Sequence, residues 1–335
     1  MSTKGVARRL VGSIALGSLI VICAIVLASK LGAHNVDLSR ALDRSLVPNP
    51  DAVLLFDARL PRILLGAIVG AALGAVGAAL QALLRNPLAD PYVLGTSGGA
   101  ALGGTLVIVL GVPASIAAFA VPAASFAGAL GATALVWVAA RAAGDASMAS
   151  VLLAGIVVNA FAAAAITLLK ILVTASQAQA VLFWLVGSVG YESWSTIGGL
   201  AVAVALGLVA LTALSGRMNL LSLGDEAAAH LGVDVGRVKW LIFGVAALMV
   251  GFVVSICGLV GFVGLVVPHG VRLALGPDHR IVVPTSAFAG AAFLVLADLG
   301  SRLAFDYLGT EPPVGAITAL VGCPLFLWLL VRRRA

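Results

Sequence analysis

The sequence predicts an all-α polytopic membrane protein with ten transmembrane helices, and three observations lead there. Of 335 residues, 61% are hydrophobic and only 10% charged, where soluble domains carry about 25% charged residues. Apolar runs recur along the chain, many long enough to cross about 30 Å of hydrocarbon, where a helix satisfies its own backbone. The 39 glycines are many for soluble helices but suit membrane helices that pack closely.

Lys4, Arg8 and Arg9 precede the first apolar run, 10–31, which is too long for a signal-peptide core and is read as a span. A mixed-charge loop follows, with Asp37, Arg40, Asp43, Arg44, Asp51 and Asp57, and with Pro48 and Pro50 as breakers. The second span, 61–84, starts at Pro61, a favourable first-turn residue. Its Gly66, Gly70, Gly74 and Ala78 form a small-residue ridge, for close packing or, on a sharper reading, to line a passage. RNPLADP (85–91) stops the helix with two prolines, while Asn86 and Asp90 can cap neighbouring helix starts.

The next spans are 93–111 and 114–141, separated by Gly111 and Pro113, and then 148–173. Asn159 is a lone amide in that last run; an interhelical hydrogen bond and a group facing a pathway are both open. Residues 177–188 read as a half-helix ending at Gly187, of the kind that lines a cavity or gate. Spans 195–214, 238–256, 258–275 (broken near Pro268), 281–304 and 313–331 complete the ten.

Between the sixth and seventh spans lies a polar island, 216–239. Ser222 and Asp225 stand as in a capping box, and Gly232 supplies a left-handed stop, so about two turns of helix fit between them. Leu223, Ala227 and Leu231 would give it one apolar stripe. Such a segment can lie in the interface, plug into a soluble partner, or be a solvated loop. The reading taken is a plug for a partner that supplies energy.

An even number of spans puts both termini on one side. The loops on that side hold Lys4, Arg8, Arg9, Arg85, Arg141, Arg217, Arg237, Lys239, Arg272, Arg280, Arg332, Arg333 and Arg334. The other side holds Lys30, Arg40, Arg44, Arg59, Arg62, Lys170 and Arg302, so the termini and the island are assigned to the cytoplasm. The net charge of +6 therefore belongs to membrane orientation, and no nucleic-acid partner is expected.

No Walker A, HExxH or GxSxG motif is present, and the four histidines have no metal spacing, so no catalytic, cofactor or metal residue is assigned. Cys23, Cys257 and Cys323 fall in apolar runs and read as buried thiols. Arg59, Arg62 and Arg302 are positive points on the outer face, for headgroup contact or for carboxylates of a soluble partner. Asp298 precedes Arg302 by four, which favours a structural ion pair over a proton site.

Several motifs then appear in a familiar order. RLPRILLGAIVGAALGAVGAALQALLRNPLADPYVLGTSGGAALG, FWLVGS, LSLGDEAAAHLGV and GLVGFVGLVVPHGVRLALGPDHR together resemble the FecCD-type membrane subunits of ABC importers. The resemblance runs from Arg59 onward and implies the vitamin B12 permease-like, type II importer fold. It implies an inner-membrane subunit paired with a second copy, two ATP-binding subunits and a periplasmic substrate-binding protein. The short coupling element of the family matches 221–234: Leu221, Ser222, Leu223, Gly224, Asp225, Glu226, Ala227, His230, Leu231 and Gly232. Binding-protein docking falls on Arg59, Arg62 and Arg302, and the cytoplasmic gate on Asn86 and Leu88. The expected cargo is a bulky chelate, haem or a ferric siderophore, with vitamin B12 as the alternative. An ion-driven secondary carrier would have to rely on Asp298, and a membrane enzyme would need a polar constellation that the sequence lacks.

Overall fold

The computed structural model describes residues 3–32, 35–43, 45, 48–142 and 148–332; Arg44, Arg333 and Arg334 lie outside the described residues. All regular structure among the described residues is helical. Helix α1 (Thr3–Lys30) begins earlier than the apolar run and carries the basic N-terminal residues in its first turns. Asp37 caps α2 (Leu38–Ala41), and Asn49 caps α3 (Pro50–Val53) by accepting from the Ala52 amide.

The second span does not begin at Pro61. From α3 the chain continues through a π-turn, Leu54–Arg59, into α4 (Leu60–Leu83), giving one helix of 34 residues. The π-turn is the reason: the Leu60 amide reaches back to the Leu55 carbonyl, and the widened turn accommodates Pro61, which has no N–H to give. The expected span 93–111 is also altered. A 3₁₀ turn, Pro91–Leu94, is cut off by Gly95 at φ +82°, leaving α5 (Thr96–Val109) with 14 residues. A Cβ at Gly95 would press on Val136 at 3.0 Å, so chain conformation and crowding both favour glycine there.

Helices α6 (Ala114–Ala142) and α7 (Met148–Ile171) follow the expected runs. The half-helix α8 (Ala175–Val186) is opened by a Thr174–Gln177 capping box and ends at Gly187. Next come α9 (Trp194–Leu221), which overruns its expected end at 214, α10 (Asp225–His230) and α11 (Val235–Cys257). The chain closes with α12 (Val263–Leu275), α13 (His279–Leu308) and α14 (Val314–Arg332). Pro268 does not break α12. The Gly264 carbonyl, which Pro268 cannot bond, and that of Leu265 accept from Gln81 Nε2 at 3.4 and 3.1 Å.

Seven of these helices are long and apolar enough to cross a membrane, with shorter apolar helices at α5, α8, α12 and the start of α14. In the most apolar windows of α4 and α13, 78% and 72% of residues are buried, against 17% for α1 and 22% for α6 and α7. The centre is therefore the α4–α13 pair, and glycine makes it. A Cβ at Gly70 would strike the Gly290 carbonyl, and one at Gly74 the Ser286 carbonyl, so the ridge packs backbone on backbone. Gly66 is looser, with Val189 at 3.9 Å. Cys257 is buried, but Cys23 and Cys323 are exposed on the outer faces of α1 and α14. That corrects the buried reading for those two: an apolar run fixes the helix, not which side of it faces inward.

Candidate functional site

At one end of the bundle the polar island forms a knob. Ser222 does not cap it: α9 runs on to Leu221, and Ser222 Oγ donates to the Met218 carbonyl at 3.0 Å as the helix ends. Gly224, at φ +117°, then redirects the chain into α10, whose six residues make the expected short helix of about two turns. Gly232 does stop it, at φ +82°, with its amide on the Ala229 carbonyl and that of Val233 on Ala228. Ala228 faces the bundle and is fully buried, whereas Leu223 and Leu231 are 65% and 59% exposed. Glu226 and His230 are exposed and Ala227 is half-buried. The apolar stripe thus points away from the chain's own core.

Asp225 anchors the knob. It pairs with the Arg85 guanidinium, and Lys239 Nζ holds its other oxygen at 2.5 Å. Arg85 Nε also donates to the Leu221 carbonyl at 2.8 Å. Burial alone would raise the Asp225 carboxyl, but the bonds from Lys239 and Arg85 outweigh it and hold the group below its ordinary pKa. Beside Arg85, Asn86 Oδ1 accepts from the Leu88 amide at 2.9 Å and closes a tight turn, leaving Leu88 47% exposed. A second tie lies nearby: Asn219 donates to Asp278 at 2.7 Å and accepts from the His279 amide at 2.8 Å, joining α9 to the start of α13. The bond from Arg280, ahead of that from Asn219, holds the Asp278 carboxyl well below the usual range.

At the opposite end, Arg59, Arg62 and Arg302 come together, but not as surface points. They are 6%, 7% and 5% exposed around Asp298, itself 1% exposed. Asp298 Oδ1 accepts from Arg62 Nε at 2.9 Å, and Oδ2 from Arg302 Nε at 3.1 Å. Both oxygens of the carboxylate are thus engaged, as expected for a structural pair. Arg59 and Arg302 also donate to the last carbonyls of α1: Arg59 to Ser29 at 3.0 Å, Arg302 to Ala28 at 3.1 Å and Leu31 at 3.2 Å. Cations at a helix C-terminus suit its dipole. The reading of these arginines as exposed is therefore corrected: three guanidiniums at the chain's crowded end find carboxylate and carbonyl partners inside. Arg62 also reaches Glu311 at 2.7 Å, whose side chain is 33% exposed, and lies under the Tyr191 ring at 5.6 Å.

Between the ends, Asn159 makes the interhelical hydrogen bonds that were one of its two open readings. Its amide donates to the Tyr92 carbonyl at 2.8 Å and accepts from the Gly98 amide at 3.0 Å, fastening α7 to α5. It also lines a cavity of about 360 Å³ with Ser97, Gly98, Lys170 and Leu185. Among the described residues no cluster could hold a metal ion. Sequence reasoning missed Arg85 and Lys239 as partners of Asp225. Their only signal was charge at a span end, which served the membrane-sidedness argument and hid their pairing.

Against this geometry, the sequence profile of the FecCD transport family matches residues 19–332. The Cobalamin import system permease protein BtuC of Halobacterium salinarum is 43% identical over 284 residues, covering 85% of this chain and 75% of that protein. The Hemin transport system permease protein HmuU of Yersinia pestis is 40% identical over 283 residues, 82% of each chain. A solved inward-facing conformation of a metal-chelate type ABC transporter aligns with a TM-score of 0.85 at 30% identity, over 95% of this chain and 98% of that one.

Proposed function

The chain belongs to the FecCD transport family as the multi-pass, non-catalytic permease subunit of an ABC importer, and from that premise we propose that its cargo is a bulky metal chelate, haem or a ferric siderophore, taken from a periplasmic binding protein into the cytoplasm. The near full-length likeness to a metal-chelate type transporter carries this proposal, and the likeness to a hemin permease supports haem. The 43% identity to a cobalamin permease favours vitamin B12 as the second reading. Reconstitution with the ATPase and binding protein, followed by parallel uptake of haem, a ferric siderophore and cobalamin, tests it. ATP-dependent entry of haem or the siderophore is expected. Entry of cobalamin alone would select the second reading, and uptake driven by an ion gradient without the ATPase would overturn both.

In this proposal the chain makes ten passes, with α5, α12 and α14 completing those that the seven long helices begin. Both termini and α10 lie in the cytoplasm of a bacterial inner membrane. Leu223 and Leu231 plug into the ATP-binding subunit, supported by their exposure on an otherwise polar segment. The sparsely buried faces of α6 and α7 are covered by lipid and by a second copy of the chain. A binding-protein carboxylate reaches the arginine cluster at Arg62 by replacing Glu311, the one carboxylate there with a third of its side chain in the open. Asn86 and Leu88 form the cytoplasmic gate, and the cavity beside Asn159 belongs to the path. ATP binding draws two knobs together, and packed helices with discrete arrangements switch which end is open.

A further inference from the structure

The cap that ends α4 carries an arginine where the geometry asks for a glycine. The Asn86 amide bonds to the Gln81 carbonyl and the Arg85 amide to that of Ala82, both at 3.2 Å, the paired bonds of a Schellman cap. Its left-handed position is held by Arg85, at φ +48°. Glycine takes that conformation freely, whereas a residue with a Cβ is held in it against steric resistance. The knob helix α10 ends in the same bonding pattern and uses Gly232 there. An observed backbone outlier of this sort points to what its side chain does.

That side chain joins three elements. It extends from the end of α4, takes the Leu221 carbonyl at the end of α9 at 2.8 Å, and pairs with Asp225, the first residue of α10. Lys239, from α11, steadies the same carboxylate. With side chains 41% and 46% exposed, the Arg85–Asp225 pair alone would contribute little in water. The carbonyl bond and the left-handed cap fix the guanidinium at both ends, which turns a weak ion pair into a directed strut. A guanidinium fork can hold two acceptors at once; an ammonium on a flexible stem cannot reproduce that geometry.

We propose that Arg85 is a positioning residue that locks the knob to the Asn86–Leu88 turn, so that displacement of α10 reaches the turn without slack. This rests on α10 being the ATPase plug and the turn being a gate. The test uses the chain reconstituted with its ATPase and binding protein. Spin labels sit at positions 87 and 229 for the distance, which leaves Asn86 and Leu88 in place, and uptake per ATP is measured on the unlabelled chain with whichever of haem, a ferric siderophore and cobalamin the wild-type vesicles accept.

Arg85→Gly suits the purpose, because glycine relaxes the cap and removes only the strut. It is expected to fold and to keep its ATPase on purification. Its interlabel distance should change on ATP binding where the wild type's does not, and its uptake per ATP should fall about tenfold. Arg85→Lys should fall between. A wild-type distance and a wild-type uptake ratio in Arg85→Gly would overturn the proposal. Leu223→Asp with Leu231→Asp tests the plug separately: loss of the ATPase on purification supports it, and retention overturns the plug reading whatever Arg85→Gly does.

Discussion

Asp298→Ala should be the most damaging single change at the end of the bundle opposite the knob. The carboxylate is 1% exposed and holds Arg62 and Arg302, themselves 7% and 5% exposed. Removing one member of a buried ion pair costs about 3–5 kcal/mol, because the charge left behind is desolvated without compensation. Here the orphans keep something. Arg302 retains the Ala28 and Leu31 carbonyls, and Arg62 retains Glu311. The expected loss is therefore at the lower limit, about 3 kcal/mol. Arg62→Met leaves Asp298 balanced by Arg302 and should cost about 1–2 kcal/mol. Glu311→Gln breaks only a part-exposed pair, worth about 0–1 kcal/mol. Denaturant unfolding of the purified chain in mild detergent, followed by tryptophan signal, ranks the three. A Glu311→Gln loss equal to that of Asp298→Ala would refute this account of the cluster. The same site separates importer from ion-driven carrier: Asp298→Asn that folds should still support ATP-driven uptake, whereas a carrier using Asp298 as its ion site would lose transport outright.

Asn159→Leu leaves the Tyr92 carbonyl with its bond from Ser97 Oγ but removes the acceptor of the Gly98 amide, in the first turn of α5, and should cost about 1–3 kcal/mol. Faster amide exchange at Gly98 is the check, and unchanged protection there would count against it. Gly70→Ala forces a methyl onto the Gly290 carbonyl and should destabilise by about 1–3 kcal/mol, while Gly66→Ala has room and should stay within about 0.5 kcal/mol. Melting temperatures of the two variants compare them directly; equal shifts would contradict backbone contact between α4 and α13. The lowered pKa of Asp225 gives a pH prediction. A carboxylate depressed on folding contributes above its unfolded pKa and loses that contribution only as pH falls through the folded one. The knob should thus stay clamped from about pH 8 down to about pH 5, and faster amide exchange in α10 within that window would be the contrary result.

Periodicity and length made the helices legible, and breakers placed most of their ends. What the sequence could not display were partners distant in the chain. Pro61 and Pro268 read as a start and a break because a proline's effect on its own helix is local. Here a π-turn absorbs the first, and Gln81 on another helix satisfies the carbonyls near the second. Ser222 and Asp225 matched a capping box by spacing, yet the preceding helix kept Ser222 as its own last turn. The Asp298–Arg302 pair was legible because it lies within one helix. Arg62, 236 residues away from Asp298, was not, nor was the inward turn of all three arginines. Spacing reports which residues share a helix face, and tertiary packing decides what that face meets.

Helix α4 links the two ends that the sequence left separate. It carries Arg62 in its first turn, with Arg59 just before it, and Arg85 lies just past its last, so that Arg62 and Arg85 stand about 35 Å apart at 1.5 Å per residue. Along the middle, Gly70 and Gly74 rest directly on the backbone of α13, a contact with no side chains to re-pack by small steps. Asp298 and Arg302 sit on α13 as well, so the buried ion pairs travel with the same two helices. A displacement fed in at Arg85 should consequently emerge at the Arg62 end as a tilt of the α4–α13 unit, with Arg62–Asp298 unchanged inside it. Glu311 lies beyond the end of α13 on the segment leading to α14, which Ser301 Oγ ties to α13 at the Pro312 carbonyl while the Glu311 side chain itself is a third exposed. Arg62–Glu311 is then the contact that lengthens when the knob moves. Labels reporting the Arg62–Glu311 and Arg62–Asp298 separations on ATP binding should show the first change and the second hold; the reverse would mean that α4 does not carry the motion.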